Sequence, residues 1–299
     1  MLSPRRSVTS AISLSLVILV AAVARAQQPA APAAPARGPG NTSWAPNGSE
    51  ARARASAESK LVFYEFHAEG CGNCKRMDAL LYPAFDFEAL LVSMVPVKLA
   101  IESPEGKEIA DRYAIHDTPA ILITTPEGRL VFRVQGFRDA PDFYAHVQKD
   151  LRTYREFARR IESQDVGALS GEEAYATGRE LYARMDPQAA LPRLKRATVA
   201  PETRRGLRAS AFEGLAAVQF DLGLSAEARR SIDQAIATTK SPDQRERAEL
   251  FRAQIPLFEN KPAEALVLYK KFEKDHPTSK YLDRVKSFIE RLEHPTPKS

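Results

Sequence analysis

The strand-like run Leu61-Val62-Phe63-Tyr64-Glu65-Phe66 leads, after a short loop, to Cys71-Gly72-Asn73-Cys74 and then to Lys75-Arg76-Met77-Asp78-Ala79-Leu80-Leu81. The first run is apolar and rich in aromatic and β-branched residues, which predicts a buried strand. The last run has helical spacing, so the two cysteines lie where a strand leads into a helix N-terminus. They are the only cysteines among 299 residues. Because free N–H groups and the helix dipole favour a thiolate there, the pair predicts a redox dithiol.

Strands and helices continue to alternate from Lys60 to about Leu151. The predicted order is βα(α)βαββα, with a hairpin turn at Pro126-Glu127-Gly128-Arg129. Crossover connections combined with a hairpin predict an α/β domain, a small mixed sheet flanked by helices. We place this domain at residues 60–152.

This segment resembles thioredoxin-fold domains, and it is most similar to exported thioredoxin-like proteins such as the C-terminal domain of the disulfide reductase DsbD. The resemblance spans residues 60–151. It rests on several ordered motifs, which are Cys71-Gly72-Asn73-Cys74-Lys75-Arg76-Met77, Val95-Pro96-Val97-Lys98, Asp111-Arg112-Tyr113-Ala114-Ile115-His116-Asp117-Thr118-Pro119, Pro126-Glu127-Gly128 and Gly136.

The resemblance implies an activity, thiol–disulfide exchange with protein disulfides. Cys71 would be the nucleophile, and Cys74, one turn further into the helix, would resolve the mixed disulfide. Pro119 would be cis, and the backbone of Thr118 would bind the substrate strand. Exchange of this kind needs no cofactor beyond the Cys71–Cys74 disulfide itself, and its direction, reduction or oxidation, stays open.

Two polar residues in the predicted strands are also implied to take part. Glu65 interrupts an otherwise apolar strand, and the family has a buried acid there that can relay the proton of the resolving cysteine. Lys98 stands where the family often has a partner for that acid. A buried lone carboxylate is costly, so its presence needs a reason. The alternative is a Glu65 that points to solvent at a sheet edge.

The rim of the dithiol departs from the family pattern. Gly70 replaces a frequent tryptophan, and His67 replaces a frequent aromatic residue. We expect His67, together with Gly72 and Asn73, to contact the substrate, with Gly72-Asn73 affecting the redox poise. His67 could also help to set the thiolate population, and a surface histidine without such a role is the alternative. The loss of the indole makes the rim more open and more polar.

Other uses of the cysteines stay open at this stage. Cys71 and Cys74 have the spacing of metal ligands, and His67 and His116 would lie near them, which allows a Cys/His copper or zinc site. A purely structural disulfide would close a very small loop and stabilise little. The domain could also be a scaffold in a binding protein.

The N-terminus has the layout of a secretory signal. Arg5-Arg6 precedes an apolar run from about Ala11 to Val23, and Ala24-Arg25-Ala26 offers a small-x-small cleavage site. We therefore predict a signal peptide at residues 1–26 and a periplasmic or secreted protein. A retained membrane anchor is the alternative. Residues 27–59, rich in Ala and Pro, are predicted to be a disordered linker.

Composition limits the partners of the protein. The net charge is +5, and residues 1–26 contribute three arginines and no acid. The small remaining excess gives no reason to expect nucleic acid as a ligand. The expected partners are protein disulfides or dithiols and a redox partner protein.

The second half of the sequence predicts an all-α domain. After a connecting helix at residues 153–169, residues 170–293 contain three segments that can be overlaid, namely Pro187-Gln188-Ala189-Ala190, Ser225-Ala226-Glu227-Ala228 and Pro262-Ala263-Glu264-Ala265. Helix pairs with small alanines and this period resemble tetratricopeptide repeats, although several signature aromatic residues are absent. An unrelated helical bundle is the alternative. A solenoid of this kind could bind a peptide or protein ligand.

Overall fold

The computed structural model describes residues 43–83 and 85–294. In the first half of this part, strands and helices alternate as the sequence predicts. The elements in chain order are α1 (Gly48–Ala57), β1 (Leu61–His67), α2 (Gly72–Leu80), α3 (Phe85–Leu91), β2 (Met94–Ala100), α4 (Pro104–Arg112), β3 (Ala120–Thr124), β4 (Leu130–Gln135) and α5 (Ala140–Glu162).

The four strands form one mixed sheet in the order β2-β1-β3-β4. Strand β1 is parallel to β2 and antiparallel to β3, and β3 and β4 form the predicted hairpin. The five central residues of β1 are all buried, since helices cover both faces of the sheet. The predicted mixed sheet flanked by helices is thus confirmed.

Alternation along the strands produces two cores. On one face, Val62, Tyr64 and Phe66 pack with residues of α1 and α4. On the other face, Phe63 packs with residues of α2, α3 and α5. Glu65 also points to this second face, under α2, and there it is the single charged residue of the strand.

The predicted linker is wrong for residues 43–59. Ala45 bridges to Val97 at the edge of β2, and its N–H donates to the carbonyl of Pro96 at 2.7 Å. Helix α1 follows, with Ala51 and Ala55 fully buried against the sheet. Small alanines allow close helix–sheet packing, and the overall Ala and Pro content hid this short pattern. Residues 27–42 and the predicted signal peptide lie outside the described residues.

One helix crosses the boundary predicted near residue 152. Helix α5 continues without a break from Ala140 to Glu162, so the last helix of the α/β domain is also the connecting helix. Its buried side chains, from Phe143 to Ile161, belong to one hydrophobic core with Leu181 and Leu194 of the second half. The two halves therefore share a core.

The second half is built of helices, as predicted. After a short 3-10 turn at Val166–Ala168, the helices are α6 (Gly171–Ala183), α7 (Pro187–Val199), α8 (Arg205–Asp221), α9 (Ser225–Thr238), α10 (Pro242–Phe258), α11 (Pro262–Asp275) and α12 (Leu282–Glu293).

Each of the three overlaid sequence segments begins the second helix of a pair. Ala190, Ala228 and Ala265 are each 0% exposed, which permits the two helices of a pair to approach closely. This arrangement of three helix pairs and a final helix is consistent with the predicted repeats, and their assignment to tetratricopeptide repeats stays a prediction. Among the described helices, none combines the length and apolarity that a membrane span needs.

Candidate active site

Cys71 and Cys74 form a disulfide at the start of α2. Cys71 is the N-cap residue, and its Sγ accepts the N–H of Cys74 at 3.1 Å. Cys71 is half-buried, whereas Cys74 is only 5% exposed. A short loop after β1 places the first sulfur at the surface, and the helical turn carries the second one inward. The pair is therefore asymmetric in its access to solvent.

Glu65 and Lys98 lie beside the disulfide. They are direct partners in the parallel register of β1 and β2, so their side chains leave the same face of the sheet. Glu65 is 1% exposed, which rejects the alternative of a solvent-facing residue at a sheet edge. The Lys98 Nζ is 3.0 Å from Oε2 of Glu65. Neither carboxylate oxygen of Glu65 accepts a well-aligned hydrogen bond from the described residues. The contact between Lys98 and Glu65 is therefore an ion pair.

Burial controls the electrostatics of this pair. Desolvation raises the pKa of Glu65 above its usual range, although the Lys98 ammonium opposes the shift. Burial alone would lower the pKa of Lys98, but the charges of Glu65 and Asp78 outweigh it and raise that pKa. A carboxyl group with a raised pKa can hold a proton closer to neutral pH than a surface carboxyl can.

Three further residues surround Lys98 and, together with Glu65, form a charge cluster with it. These residues, which are Asp78, Trp44 and Tyr82, were not identified from the sequence. Asp78 of α2 accepts a hydrogen bond from Lys98 and so forms a second ion pair with it. The ammonium of Lys98 also lies 5.0 Å from the ring centroid of Trp44 and 4.7 Å from that of Tyr82. Asp78 falls one turn after Cys74 on the same helix, a spacing that could have indicated it. Nothing in the sequence pattern connects Trp44 to Lys98.

A cavity of about 270 Å³ brings most of the predicted residues together. Its wall includes Cys71, Cys74, Glu65, His67 and Lys98. The Nδ1 atom of His67 is buried and has no hydrogen-bond partner among the described residues. His67 thus has an unused polar atom beside the disulfide.

Gly70 has a local conformational reason to replace an aromatic residue. Its φ is +74°, a left-handed conformation that side-chain-bearing residues adopt at a cost. A Cβ added at this position would meet nothing within 4 Å. The backbone turn, and not a crowded neighbour, therefore accounts for glycine before Cys71.

The remaining predicted substrate-contacting residues lie outside that cavity. Gly72 and Asn73 are exposed in the first turn of α2. The peptide bond between Thr118 and Pro119 is cis, as the resemblance implies, and it precedes β3. The side chain of Gln135 binds the loop that precedes this cis peptide bond, because its Oε1 accepts the N–H of His116 at 2.7 Å. Gln135 is a further residue that the sequence analysis did not identify.

The predicted alternative of a Cys/His metal site is not assembled in the described part of the chain. No three His, Cys, Asp or Glu side chains within residues 43–83 and 85–294 are arranged to hold a metal ion. His116 is exposed in the loop before Thr118 and does not line the cavity beside the cysteines.

Residues 49–150 match the family model of the thioredoxin-like domain. This part of the chain is a thioredoxin-like domain. The resemblance drawn from the sequence is thereby confirmed, and the match begins at residue 49, within α1. The start of the domain therefore lies before the predicted residue 60, in agreement with the packing of α1 on the sheet.

The thioredoxin-like domain is similar to part of the thiol:disulfide interchange protein DsbD of Cronobacter sakazakii. The two are 28% identical over 105 residues, which are 34% of this chain and 18% of that relative. Among solved structures, it is similar to a thioredoxin from Thermus thermophilus, with 29% identity, a TM-score of 0.31, and coverage of 33% of this chain and 80% of the other. The oxidised C-terminal domain of DsbD from Neisseria meningitidis shows 17% identity and a TM-score of 0.30 over 34% of this chain and 90% of that domain.

Proposed function

We propose that the protein is an exported thiol–disulfide oxidoreductase that exchanges electrons with protein disulfides through Cys71 and Cys74. The observation that carries the proposal is the disulfide at the N-terminus of α2, between a half-buried first cysteine and a buried second one. Similarity to a thiol:disulfide interchange protein supports the same activity. Export is part of the proposal, and the signal-like sequence of residues 1–26 supports it.

In the reducing direction, the proposed reaction has two exchange steps. The Cys71 thiolate attacks one sulfur of the substrate disulfide, which breaks that S–S bond, forms a mixed disulfide and releases one substrate thiolate. The Cys74 thiolate then attacks Sγ of Cys71 and releases the second substrate sulfur. The substrate gains two electrons, and the chain ends as the Cys71–Cys74 disulfide. A dithiol partner protein restores the reduced form by the reverse exchange.

Glu65 has the proposed role of proton acceptor in the second step. Cys74 is buried, and burial disfavours a thiolate, so its proton must move to a nearby base. Glu65 lines the same cavity, and its raised pKa suits a group that takes up a proton near neutral pH. Lys98 keeps part of the Glu65 population ionised, and this ionised form is the one that accepts the proton.

Substrate binding is proposed to involve the surface around Cys71. Gly72, Asn73 and His67 would contact the substrate from one side, and the backbone of Thr118 with Pro119 from the other. The direction of the reaction follows from the reduction potential of the pair. A value near −270 mV, about that of thioredoxin, supports a reductase, and one near −120 mV, about that of DsbA, supports an oxidase.

Turnover of insulin disulfides by the purified protein tests the proposal, with dithiothreitol as electron donor. We expect activity in the wild type and none in Cys71→Ser. Cys74→Ser keeps the nucleophile, so we expect it to accumulate a mixed disulfide that is visible by mass spectrometry and released by reductant. Equal turnover in the wild type and Cys71→Ser would disprove the oxidoreductase function and leave the scaffold alternative.

A further inference from the structure

The last three helices of the described chain enclose a cavity that is unrelated to the disulfide. It has a volume of about 210 Å³ and lies between α10, α11 and α12. Leu250 and Phe251 of α10 and Val285 and Phe288 of α12 form its apolar walls. Its mainly apolar wall with a few polar groups is typical of a binding pocket.

Tyr269 places in this cavity a hydroxyl group that forms no hydrogen bond with the described residues. The residue is 0% exposed, it lines the cavity, and its ring stacks on Phe288 with centroids 5.2 Å apart. A buried unpaired hydroxyl destabilises a folded protein, so the fold alone gives no reason to keep it. Phenylalanine would fill the same space.

Positive charge lies at the same place. The guanidinium of Arg284 is 5.5 Å from the Phe288 ring centroid, and that of Arg291 is 4.6 Å away. Both residues are exposed, and neither forms an ion pair with a carboxylate within the described part of the chain. By contrast, Arg252 of α10 and Arg247, which also lines the cavity, do have carboxylate partners. The rim is therefore free to bind an anion.

The size of the cavity limits its occupant. At about 210 Å³ it is smaller than the pockets of roughly 300–1,000 Å³ that hold whole drug-sized ligands. It has room for one large side chain whose backbone stays outside, along the groove between α10 and α12. Arg284 and Arg291 would then face groups next to that side chain.

We propose that this cavity is a docking site for an acidic peptide segment of a partner protein, with one bulky apolar side chain inserted and a flanking carboxylate paired with Arg284. The Tyr269 hydroxyl donates a hydrogen bond to the inserted segment. This site stands apart from the cysteines, and it goes beyond the proposed redox function without depending on it.

The test is calorimetric titration of the purified protein with acetyl-Gly-Asp-X-Asp-Gly-amide peptides, in which X is Leu, Phe or Trp. We expect saturable binding of at least one of them, and binding about tenfold weaker or absent when X is Gly. Replacing both Asp by Asn in the best peptide should weaken binding by a similar factor. Failure of all three acidic peptides to bind, or equal binding of the Asn peptide, overturns the proposal.

Two variants assign the site. Tyr269→Phe keeps the ring and removes the unpaired hydroxyl, so we expect an equal or higher melting temperature together with peptide binding about tenfold weaker. Arg284→Gln should weaken the acidic peptide and leave the Asn peptide unchanged. Arg230→Gln, on the exposed surface of α9, is the matched control and should bind like the wild type. Unchanged binding in both site variants overturns the proposal, and insulin turnover in the same samples reports on the redox function separately.

Discussion

Glu65 is the residue at which burial and chemistry conflict most clearly. It is 1% exposed on a strand whose neighbours are apolar, and its pKa is raised by desolvation. Lys98 offsets part of this cost with an ion pair at 3.0 Å. A carboxylate in this position costs stability, and the proposed proton transfer from Cys74 gives the reason for its presence.

The first prediction concerns the pH dependence of activity. Glu65 accepts a proton only when ionised, so the rate of the resolving step should rise with pH up to the raised pKa of Glu65. Glu65→Gln should abolish this rise and slow turnover, by roughly 10²-fold, the low end of contributions from a general base. Stopped-flow measurement of mixed-disulfide decay over a range of pH checks this. A Gln variant with the same rise would assign the titration to another group.

Lys98→Met provides the matched variant. It removes the ammonium that favours the ionised carboxylate, so the pKa of Glu65 should rise further and the rate profile should move to higher pH. A profile that moves to lower pH would contradict the proposed coupling.

The second prediction concerns stability. The pKa of Glu65 is raised in the folded protein relative to its ordinary value of 4.5, so the folded state binds more protons in the range above that value. The free energy of unfolding should therefore fall as pH increases from about 4.5 through the raised pKa. In Glu65→Gln this part of the decrease should disappear. Urea unfolding at several pH values measures it, and an unchanged slope in the variant would contradict the prediction.

The N-terminal segment is an element whose role only the folded structure shows. Trp44 packs edge-on against Tyr82 and Phe63 and lies over Lys98. Residues 43–57 therefore support the charge cluster as well as the sheet edge.

The third prediction tests this support. Trp44→Leu should lower the free energy of unfolding by about 1–3 kcal/mol, because it removes aromatic contacts and the cation–π interaction. Trp44→Phe keeps a ring and should lose less. Urea unfolding followed by far-UV circular dichroism measures both. A Trp44→Leu variant as stable as the wild type would contradict this supporting role of Trp44.

The helix pairs share a turn whose conformation recurs. Met185, Gly223 and Asn260 each lie two residues before the second helix of a pair, and each has a φ between 57° and 73°. A left-handed residue at this position ends a helix by turning its backbone. Glycine adopts this conformation freely, whereas other residues do so at a cost of about 1–2 kcal/mol.

The fourth prediction follows from that shared turn. Met185→Gly should raise the free energy of unfolding by about 1 kcal/mol, and Gly223→Ala should lower it by about the same amount. Met185 is 36% exposed, so the loss of the buried part of its side chain opposes this gain and keeps it small. Thermal and urea unfolding measure both changes. Effects of the same sign in the two variants would disagree with a shared left-handed turn.

At the scale of the whole molecule, the two halves are joined by more than a covalent connection. Arg129, next to β4, donates two hydrogen bonds to Asp186 at the start of α7, at 2.8 and 2.6 Å. The N–H of Leu130 donates to the carbonyl of Arg184 at 2.7 Å. Together with the shared core along α5, these contacts couple the α/β domain to the helices.

The fifth prediction is that both halves unfold in one transition. Trp44, the single tryptophan, reports on the thioredoxin-like domain by fluorescence, and far-UV circular dichroism reports mainly on the helices. The two urea curves should coincide. Asp186→Asn breaks the ion pair with Arg129 but keeps an oxygen for the helix cap, and it should move both curves together. Separate midpoints would show that the halves unfold independently.

Much of the fold could be predicted from local patterns. The apolar run of β1, the hairpin turn before β4 and the alanine period of α7, α9 and α11 each depend on residues close together in sequence. The setting of the dithiol at a helix N-terminus could be predicted for the same reason. The limits of α1 and α5 could not, because their buried faces are defined by what packs against them.

The candidate site divides in the same way. Cys71, Cys74 and Glu65 stand out in the sequence because a CxxC pair and an acid in an apolar strand are local signals. The ion pair of Lys98 with Asp78, its contact with Trp44, and the unpaired hydroxyl of Tyr269 were decided by tertiary structure. Electrostatic and packing energies depend on distance in space, and residues far apart in the chain acquire such distances only when it folds.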